Sequence, residues 1–242
     1  MLLSTVVCYA ADRANDKRTT PADKALAALA KTVDSLKTLS ADLTYSHSQP
    51  LFDTESIRVG KIHYRYDPNA PKLRINFSQF TQDGIKQKKY NEDFFFDGIW
   101  ITRVDSQSKT VTAKQLTTAD KPVPPFKLLS RFFPIVGFTA TEDLKKQFEV
   151  KYTPPVKAGA PLNFTLIPKP KTIYAKDYKS ISFVVPAELM IATEFIAQTT
   201  SGELVNIKFT KIKINKSQSK SVFKFKIPKG YTRSIHPISN AD

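Results

Sequence analysis

The sequence predicts a mainly β protein (α+β), with about ten antiparallel strands in one strongly bent sheet. Apolar residues alternate with polar ones over most of the chain, which is the period of a half-buried strand. The 242 residues include 17 Phe and 9 Tyr but only 7 Gly, and aromatic residues favour strands. The alternating runs follow one another through short turn signals, and hairpin connections make neighbouring strands antiparallel. A hydrophobic content of 41% provides for a large core.

The N-terminal residues 1–11 are apolar, carry no charge and end in small residues. We interpret them as a signal peptide of an exported protein, followed by a flexible leader over residues 12–20. The signal peptide would contain Cys8, the only cysteine. The mature chain would then have no disulfide and no catalytic thiol.

The first regular element predicted is an amphipathic helix that begins at Pro21. Thr20 precedes this proline, and Asp23 suits the positive end of the helix dipole. The apolar residues then recur at steps of three and four, which indicates one buried stripe. That stripe comprises Leu26, Leu29, Val33, Leu36 and Leu39.

From Ala41 the apolar period changes to two, and six strands are expected before the middle of the chain. Asp97-Gly98 between two of them is a candidate type I′ hairpin turn. The polar stretch 79–88 is expected to be a connection. The expected strands lie at about 43–47, 60–66, 73–77, 94–96, 100–104 and 110–116.

The middle of the chain breaks this pattern. A proline-rich stretch at 121–125 leads into an apolar segment, 126–133, whose apolar residues would cover more than one side of a helix. Such a helix is either deeply buried or lies at an opening. Thr141 is a candidate N-cap for a third short helix through Phe148.

Five further strands are expected after that helix. They lie at about 162–167, 180–185, 189–198, 204–214 and 222–227. The apolar parity changes between Phe209 and Ile212, which predicts a β-bulge.

The residues that carry chemistry are sparse, and we expect no enzyme and no cofactor. His47, His63 and His236 are far apart and lack metal-ligand spacing. Neither a Gly-x-Ser-x-Gly motif nor a glycine-rich phosphate loop occurs in the sequence.

The net charge of +15 favours anionic partners. The alternation places most lysines on the solvated faces of strands, and no nucleic-acid-binding module is recognisable, so no nucleic-acid partner is expected. An anionic membrane surface stays open as a partner.

Several short motifs, in this order and spacing, resemble the LolA-like family of periplasmic outer-membrane lipoprotein carriers. The resemblance covers residues 22–235. The motifs are Leu39-Ser-Ala-Asp-Leu-Thr44, Gly60-Lys-Ile, Ala70-Pro-Lys-Leu-Arg74, Asp97-Gly-Ile-Trp100, Pro125-Phe-Lys-Leu-Leu129, Phe164-Thr-Leu-Ile-Pro-Lys169 and Phe223-Lys-Phe-Lys-Ile-Pro-Lys-Gly230.

The resemblance implies an incomplete antiparallel β-barrel whose open side is covered by helices, formed by a single domain over 21–235 with a tail at 236–242. It implies a monomeric carrier that binds lipoprotein or lipid acyl chains in a hydrophobic cavity. Such a carrier takes its cargo from an inner-membrane transporter and passes it to an outer-membrane receptor. A LolA-like module that senses lipids or lipoproteins is the alternative.

Ala70 stands where the family often has an arginine that holds the lid, so Arg65 or Arg74 would have to replace it, with Phe126 in the lid. For each wall residue of the expected cavity, a place in an ordinary core is an equal alternative. The expected walls are Ile62, Tyr64, Leu73, Ile75, Phe77, Phe94, Phe96, Trp100, Leu129, Phe132, Phe133, Phe164, Leu166, Phe183 and Phe209.

Overall fold

The computed structural model describes residues 19–68, 71–118, 120–121 and 141–238. Three expectations therefore lie outside the described residues. They are the signal peptide at 1–11, most of the leader at 12–20, and the apolar segment 126–133.

One curved, open sheet of thirteen strands dominates the described residues, as the mainly β prediction requires. The spatial order is β13-β7-β6-β5-β3-β2-β1-β12-β11-β10-β9-β8, and β4 pairs with β3. Neighbouring strands are antiparallel except for β13, which runs parallel to β7. The strands are β1 Thr38–Gln49, β2 Thr54–Arg65, β3 Lys72–Gln82, β4 Ile85–Lys86, β5 Glu92–Phe96, β6 Trp100–Asp105, β7 Thr110–Gln115, β8 Phe148–Thr153, β9 Leu162–Pro168, β10 Tyr178–Val185, β11 Glu194–Thr199, β12 Leu204–Ile214 and β13 Thr232–His236.

Two helices accompany the sheet in the described part of the chain, α1 Pro21–Asp34 and α2 Thr141–Gln147. Thr20 caps α1 through a reciprocal capping box with Asp23. The helix ends earlier than its apolar stripe suggests. Leu39 belongs to β1, where it lies between Tyr64 of β2 and Ile214 of β12. Pairing with strands on both sides outweighs the helical spacing, which the sequence alone cannot show.

The predicted bulge in β12 is confirmed. Between Thr210 and Lys213 this strand has one residue more than β1 has between Ser40 and Asp42. Lys211, within the bulge, has a φ of 51°, in the left-handed region. A second shift of register lies between β2 and β3 beside Gly60. Bulges of this kind increase the local twist and help the sheet to bend.

Several boundaries differ from the prediction for local reasons. The stretch 79–88 is not a simple connection, because β3 continues to Gln82 and β4 pairs back on it. The hairpin at 97–98 forms, but it is not a type I′ turn, since Gly98 has a positive φ and Asp97 does not. The Asp97 carboxylate instead accepts backbone N–H bonds from Ile99 and Trp100, at 3.0 and 2.8 Å. The strand expected at 189–198 begins only at Glu194.

The expected strand at 222–227 is wrong. β12 already pairs with β1 and β11, so no free edge beside it can receive another strand. Residues 218–236, which we call the C-terminal strap, cross the face opposite to the main apolar cluster and end as β13. We call this the convex face. There the Phe225 ring stacks on Phe95 at 4.7 Å between centroids, and Tyr231 packs on a small apolar cluster. The strap thus gives the sheet a second packed layer on its convex side.

No helix in the described ranges is both long enough and apolar enough to cross a bilayer.

Candidate functional site

The main apolar cluster and helix α1 lie together on one face of the curved sheet, and this face is the candidate functional site. We call it the concave face. Successive residues of a strand point to opposite faces, so paired strands place their inward residues in rows. Leu43, Gly60 and Phe77 form one such row across β1, β2 and β3. Helix α1 adds its buried Leu26 to the same cluster.

A row of aromatic rings crosses the concave face over the five strands β8 to β12. The ring centroids of Tyr152 and Phe164 are 4.9 Å apart, and those of Phe164 and Phe183 are 4.8 Å apart. The row continues from Phe183 to Phe195 and from Phe195 to Phe209, each at 6.2 Å. Contacts at these distances are favourable aromatic pairs. The row gives one half of the face a continuous aromatic lining.

A shorter aromatic row lines the other half. Tyr45 of β1 lies edge-on to Phe77 of β3 at 6.5 Å, and Phe77 lies edge-on to Phe94 of β5 at 6.4 Å. Burial raises the pKa of Tyr45, because the phenolate would lose its hydration. Gly60, between Leu43 and Phe77, contributes no side chain to this surface.

Most of the expected wall residues come together on this face. Nine of them are buried in the main cluster, and Phe94 and Phe209 are half-buried against it. Whether they line a cavity or fill a core stays a prediction. Leu129, Phe132, Phe133 and Phe126 lie outside the described residues. The buried wall residues are Ile62, Tyr64, Leu73, Ile75, Phe77, Phe96, Phe164, Leu166 and Phe183.

Trp100 is an exception among the expected wall residues. Ile101 pairs with Phe96 and packs on the main cluster, so it occupies the concave face at this point of β6. The alternation of the strand directs the preceding Trp100 to the other face. The prediction that Trp100 lines the cavity is therefore wrong, and its neighbour Ile101 takes that place.

Arg65 and Arg74 also lie on the convex side, where both contact the C-terminal strap. Arg74 donates to the Asp93 carboxylate at 2.8 Å and to the Val222 carbonyl at 3.1 Å. The Arg65 guanidinium lies 5.1 Å from the centre of the Phe223 ring. The segment expected to form the lid lies outside the described residues, so the latch role of these arginines stays a prediction. Their contacts attach the strap.

Several concave residues escaped the sequence analysis. Phe148 is buried in the cluster because it begins β8, whereas the sequence suggested the end of a helix. The alternation of Phe148, Val150 and Tyr152 was a readable signal of that strand. Phe195 was missed because the expected strand 189–198 began too early, which left its inward face ambiguous.

A polar network closes the concave face at the end of the sheet next to the β1–β2 connection. The Glu92 carboxylate, almost buried, accepts from Arg103 and from the Tyr90 hydroxyl, each at 2.6 Å. Arg58 lies 3.8 Å from the same carboxylate and donates to the Tyr90 oxygen at 3.3 Å. Arg103 also donates to Asp105 at 3.1 Å.

In this network two guanidinium groups face two carboxylates, so its charges balance. The Arg58 guanidinium also lies 4.8 Å from the centre of the Phe80 ring, a cation–π contact. Burial, followed by the hydrogen bond to Glu92, raises the pKa of Tyr90 to about 12. The sequence analysis singled out none of these residues.

The opposite end of the concave face is apolar. Burial raises the pKa of Tyr64 there to about 12, and Leu73, Phe96 and Leu39 surround the same end of the paired strands. The face therefore changes from apolar to polar along the strand direction. An amphiphile with an apolar body and a polar head matches that order.

Among the described residues, no group of three or more His, Cys, Asp or Glu side chains could hold a metal ion.

No protein-family model matches the sequence, and no curated protein matches it significantly. Solved structures do share the fold. An uncharacterized conserved protein from Thermus thermophilus aligns over its full length with 90% of this chain, at 9% identity and a TM-score of 0.52. A chain of the MucA/MucB complex of Pseudomonas aeruginosa aligns with 86% of this chain, at 10% identity and a TM-score of 0.52. The crystal structure of MucB alone aligns with 85% of this chain, at 10% identity and a TM-score of 0.52.

This chain spans 62% of the matched chain in each of the two MucB structures, which is less than two thirds. At such identities the similarity shows the fold alone.

Proposed function

We propose that this protein binds the acyl chains of lipids or lipoproteins on its concave face and carries them through the periplasm toward the outer membrane. The observation that carries the proposal is the polarity of that face. Aromatic rows line the sheet, and a charged network closes one end of it. The role is one of binding and transfer, and no catalytic step is part of it.

The energetics of acyl binding follow from burial. Each methylene removed from water gains roughly 0.8 kcal/mol, so about ten methylenes contribute on the order of 8 kcal/mol. Ordering a flexible chain opposes part of this gain. Ring surfaces suit the task, because they present a large apolar area with few rotatable bonds. The balance leaves binding strong enough to extract a lipid and weak enough to release it to an acceptor.

The test is to purify the exported protein natively from an envelope fraction and to identify bound molecules by mass spectrometry. We expect lipid or lipoprotein. The purified protein should also transfer a labelled acyl lipid between vesicles. Protein that is reproducibly empty and transfers no lipid would contradict the proposal.

Matched aromatic variants make the assay specific for the concave face. Phe209→Ala removes a half-buried ring from the aromatic row, and we expect weaker binding of a fluorescent fatty acid. Phe225→Ala removes a partly exposed ring from the convex side and serves as the control. Equal losses in the two variants would mean that binding does not depend on the concave face.

A sensing role is the second candidate. It is favoured by the similarity to MucB, which has been solved in complex with MucA. A protein of this fold can therefore bind a protein partner. Under this alternative, the lipid-loaded protein should bind a partner with an affinity that differs from that of the empty protein, and it should transfer no lipid. An inner-membrane transporter and an outer-membrane receptor are the partners under the carrier proposal.

A further inference from the structure

Large apolar side chains are exposed at one end of the sheet. In the β1–β2 connection, Leu51 and Phe52 are 80% and 71% exposed. Ile85 at the β3–β4 hairpin is 70% exposed, and Ile173 in the β9–β10 connection is 74% exposed. Exposed apolar side chains that are grouped on one part of a surface mark a candidate interaction site.

Strand pairing places these tips at a common end. Ser48 near the end of β1 pairs with Leu204 at the start of β12, and Tyr178 at the start of β10 pairs with Thr199 at the end of β11. Backbone bonds also tie the first two hairpins together, since the N–H of Asp83 donates to the carbonyl of Glu55 at 2.8 Å. The apolar tips therefore line one rim of the curved sheet.

The same rim is positively charged, and we call it the basic end. It comprises the five strand connections 50–53, 83–91, 106–109, 169–177 and 200–203. Together they hold seven lysines against four acidic residues. The lysines are Lys86, Lys88, Lys89, Lys109, Lys169, Lys171 and Lys176, and the acidic residues are Asp53, Asp83, Asp177 and Glu203.

The opposite end has no such excess of lysines. Its segments 35–37, 66–71, 97–99, 154–161, 186–193 and 215–217 hold three lysines against three acidic residues. The lysines are Lys37, Lys157 and Lys216, and the acidic residues are Asp67, Asp97 and Glu188. The charge is therefore polarised along the strand direction.

We propose that the basic end docks onto the surface of an anionic lipid bilayer. Lysines attract the phosphate groups of the lipids, and the apolar tips enter the boundary between headgroups and acyl chains. An acidic protein would also satisfy the lysines. It offers no general reason for apolar tips on three separate connections, whereas a planar apolar boundary accepts all of them together. This inference concerns a different surface from the concave face and does not depend on acyl binding there.

The expected affinity for the bilayer has an electrostatic contribution from the lysines and an apolar contribution from the exposed tips. Each lysine near an anionic surface contributes about fivefold in affinity. Inserting a large apolar side chain partway contributes a similar factor. Salt weakens the electrostatic term, because screening shortens the reach of exposed charges.

The experiment measures sedimentation of the purified protein with phosphatidylcholine vesicles, with and without phosphatidylglycerol. We expect binding to the anionic vesicles that weakens in high salt. The double variant Leu51→Ser/Phe52→Ser should bind at least about tenfold more weakly. The variant Lys88→Gln/Lys89→Gln should also bind at least about tenfold more weakly, and its binding should depend less steeply on salt.

The matched control changes the opposite end. Val156 is fully exposed there and lies beside Lys157, so Val156→Ser/Lys157→Gln removes an apolar tip and a charge without touching the basic end. It should bind like the unaltered protein, and thermal unfolding should show that all variants stay folded.

Three results would overturn the proposal. The first is an unaltered protein that sediments with neither type of vesicle, and the second is a control that loses as much binding as the tip variants. The third is a Leu51→Ser/Phe52→Ser variant that binds the anionic vesicles as tightly as the unaltered protein, which would assign the exposed tips to a partner other than a bilayer. Binding of a fluorescent fatty acid is measured in the same variants. Because it tests the concave face, its result decides the proposed function independently of vesicle binding.

Discussion

Gly60 is the residue whose substitution most directly tests the packing of the curved sheet. It lies in β2 opposite Phe77, beside the shift of register between β2 and β3. A Cβ atom added at Gly60 would lie 1.9 Å from the carbonyl oxygen of Asn76 and 2.8 Å from the Cα of Phe77. Both neighbours are backbone atoms of β3, so neither can rotate away. Any side chain at this position must push the two strands apart.

The expected cost follows from that contact. Overpacking a well-packed site typically costs about 1–3 kcal/mol. Gly60→Ala belongs at the upper end, about 3 kcal/mol, because the clash is with the backbone of a paired strand. For a domain of this size, that loss lowers the melting temperature by roughly 6–12 °C.

Thermal unfolding followed by circular dichroism measures the effect. Gly84→Ala is the matched control, because it places the same methyl group in a turn with no atom within 4 Å. Its φ of 77° costs about 1–2 kcal/mol in backbone strain alone. Gly60→Ala should therefore be clearly the less stable of the two. If it melts within about 3 °C of the unaltered protein, or at the same temperature as the control, the close approach of the strands does not exist in solution.

Three further substitutions test the helix cap, the strap and the bulge. The bond from Lys145, followed by those from Thr20, lowers the pKa of Asp23 to about 2. Asp23→Asn should lower the free energy of unfolding at neutral pH. Denaturant titrations should show that the difference in unfolding free energy from the unaltered protein vanishes as the pH falls from about 4 to about 2. A difference that persists below that range would contradict the ion-pair account. Arg74→Gln should release the strap and speed tryptic cleavage within it several-fold, and unchanged cleavage would mean that the arginine does not hold the strap. Lys211→Gly should relieve the positive φ of the bulge and raise the melting temperature by roughly 2–4 °C, whereas a lower value would show that Lys211 stabilises the bulge.

The sign of the Asp23 effect follows from proton linkage. The folded state holds this carboxylate ionised to a lower pH than the unfolded chain does. Its contribution is therefore complete above the ordinary pKa of about 3.9 and disappears as the pH falls through the folded value.

Much of the fold and of the concave face could be predicted because strand alternation is a local property. The backbone of an extended chain turns successive side chains to opposite faces, whatever the strand pairs with. Leu73, Ile75 and Phe77 share a face for that reason, and the bulge in β12 appears as a change of parity. The same rule recovers most of the aromatic surface without any coordinates.

Other features depend on which strands become neighbours, and no local pattern contains that information. Residues 222–227 alternate like a strand, yet they cross the convex face because both edges of β12 are already paired. Glu92 and Arg103 look like solvated charges until pairing brings them together on an otherwise apolar face. The alternation of side chains along a strand is a local property, so the sequence determines it. The order of the strands, the face that the strap covers and the charge of each end of the sheet depend on which distant segments pack together, so only the tertiary structure determines them.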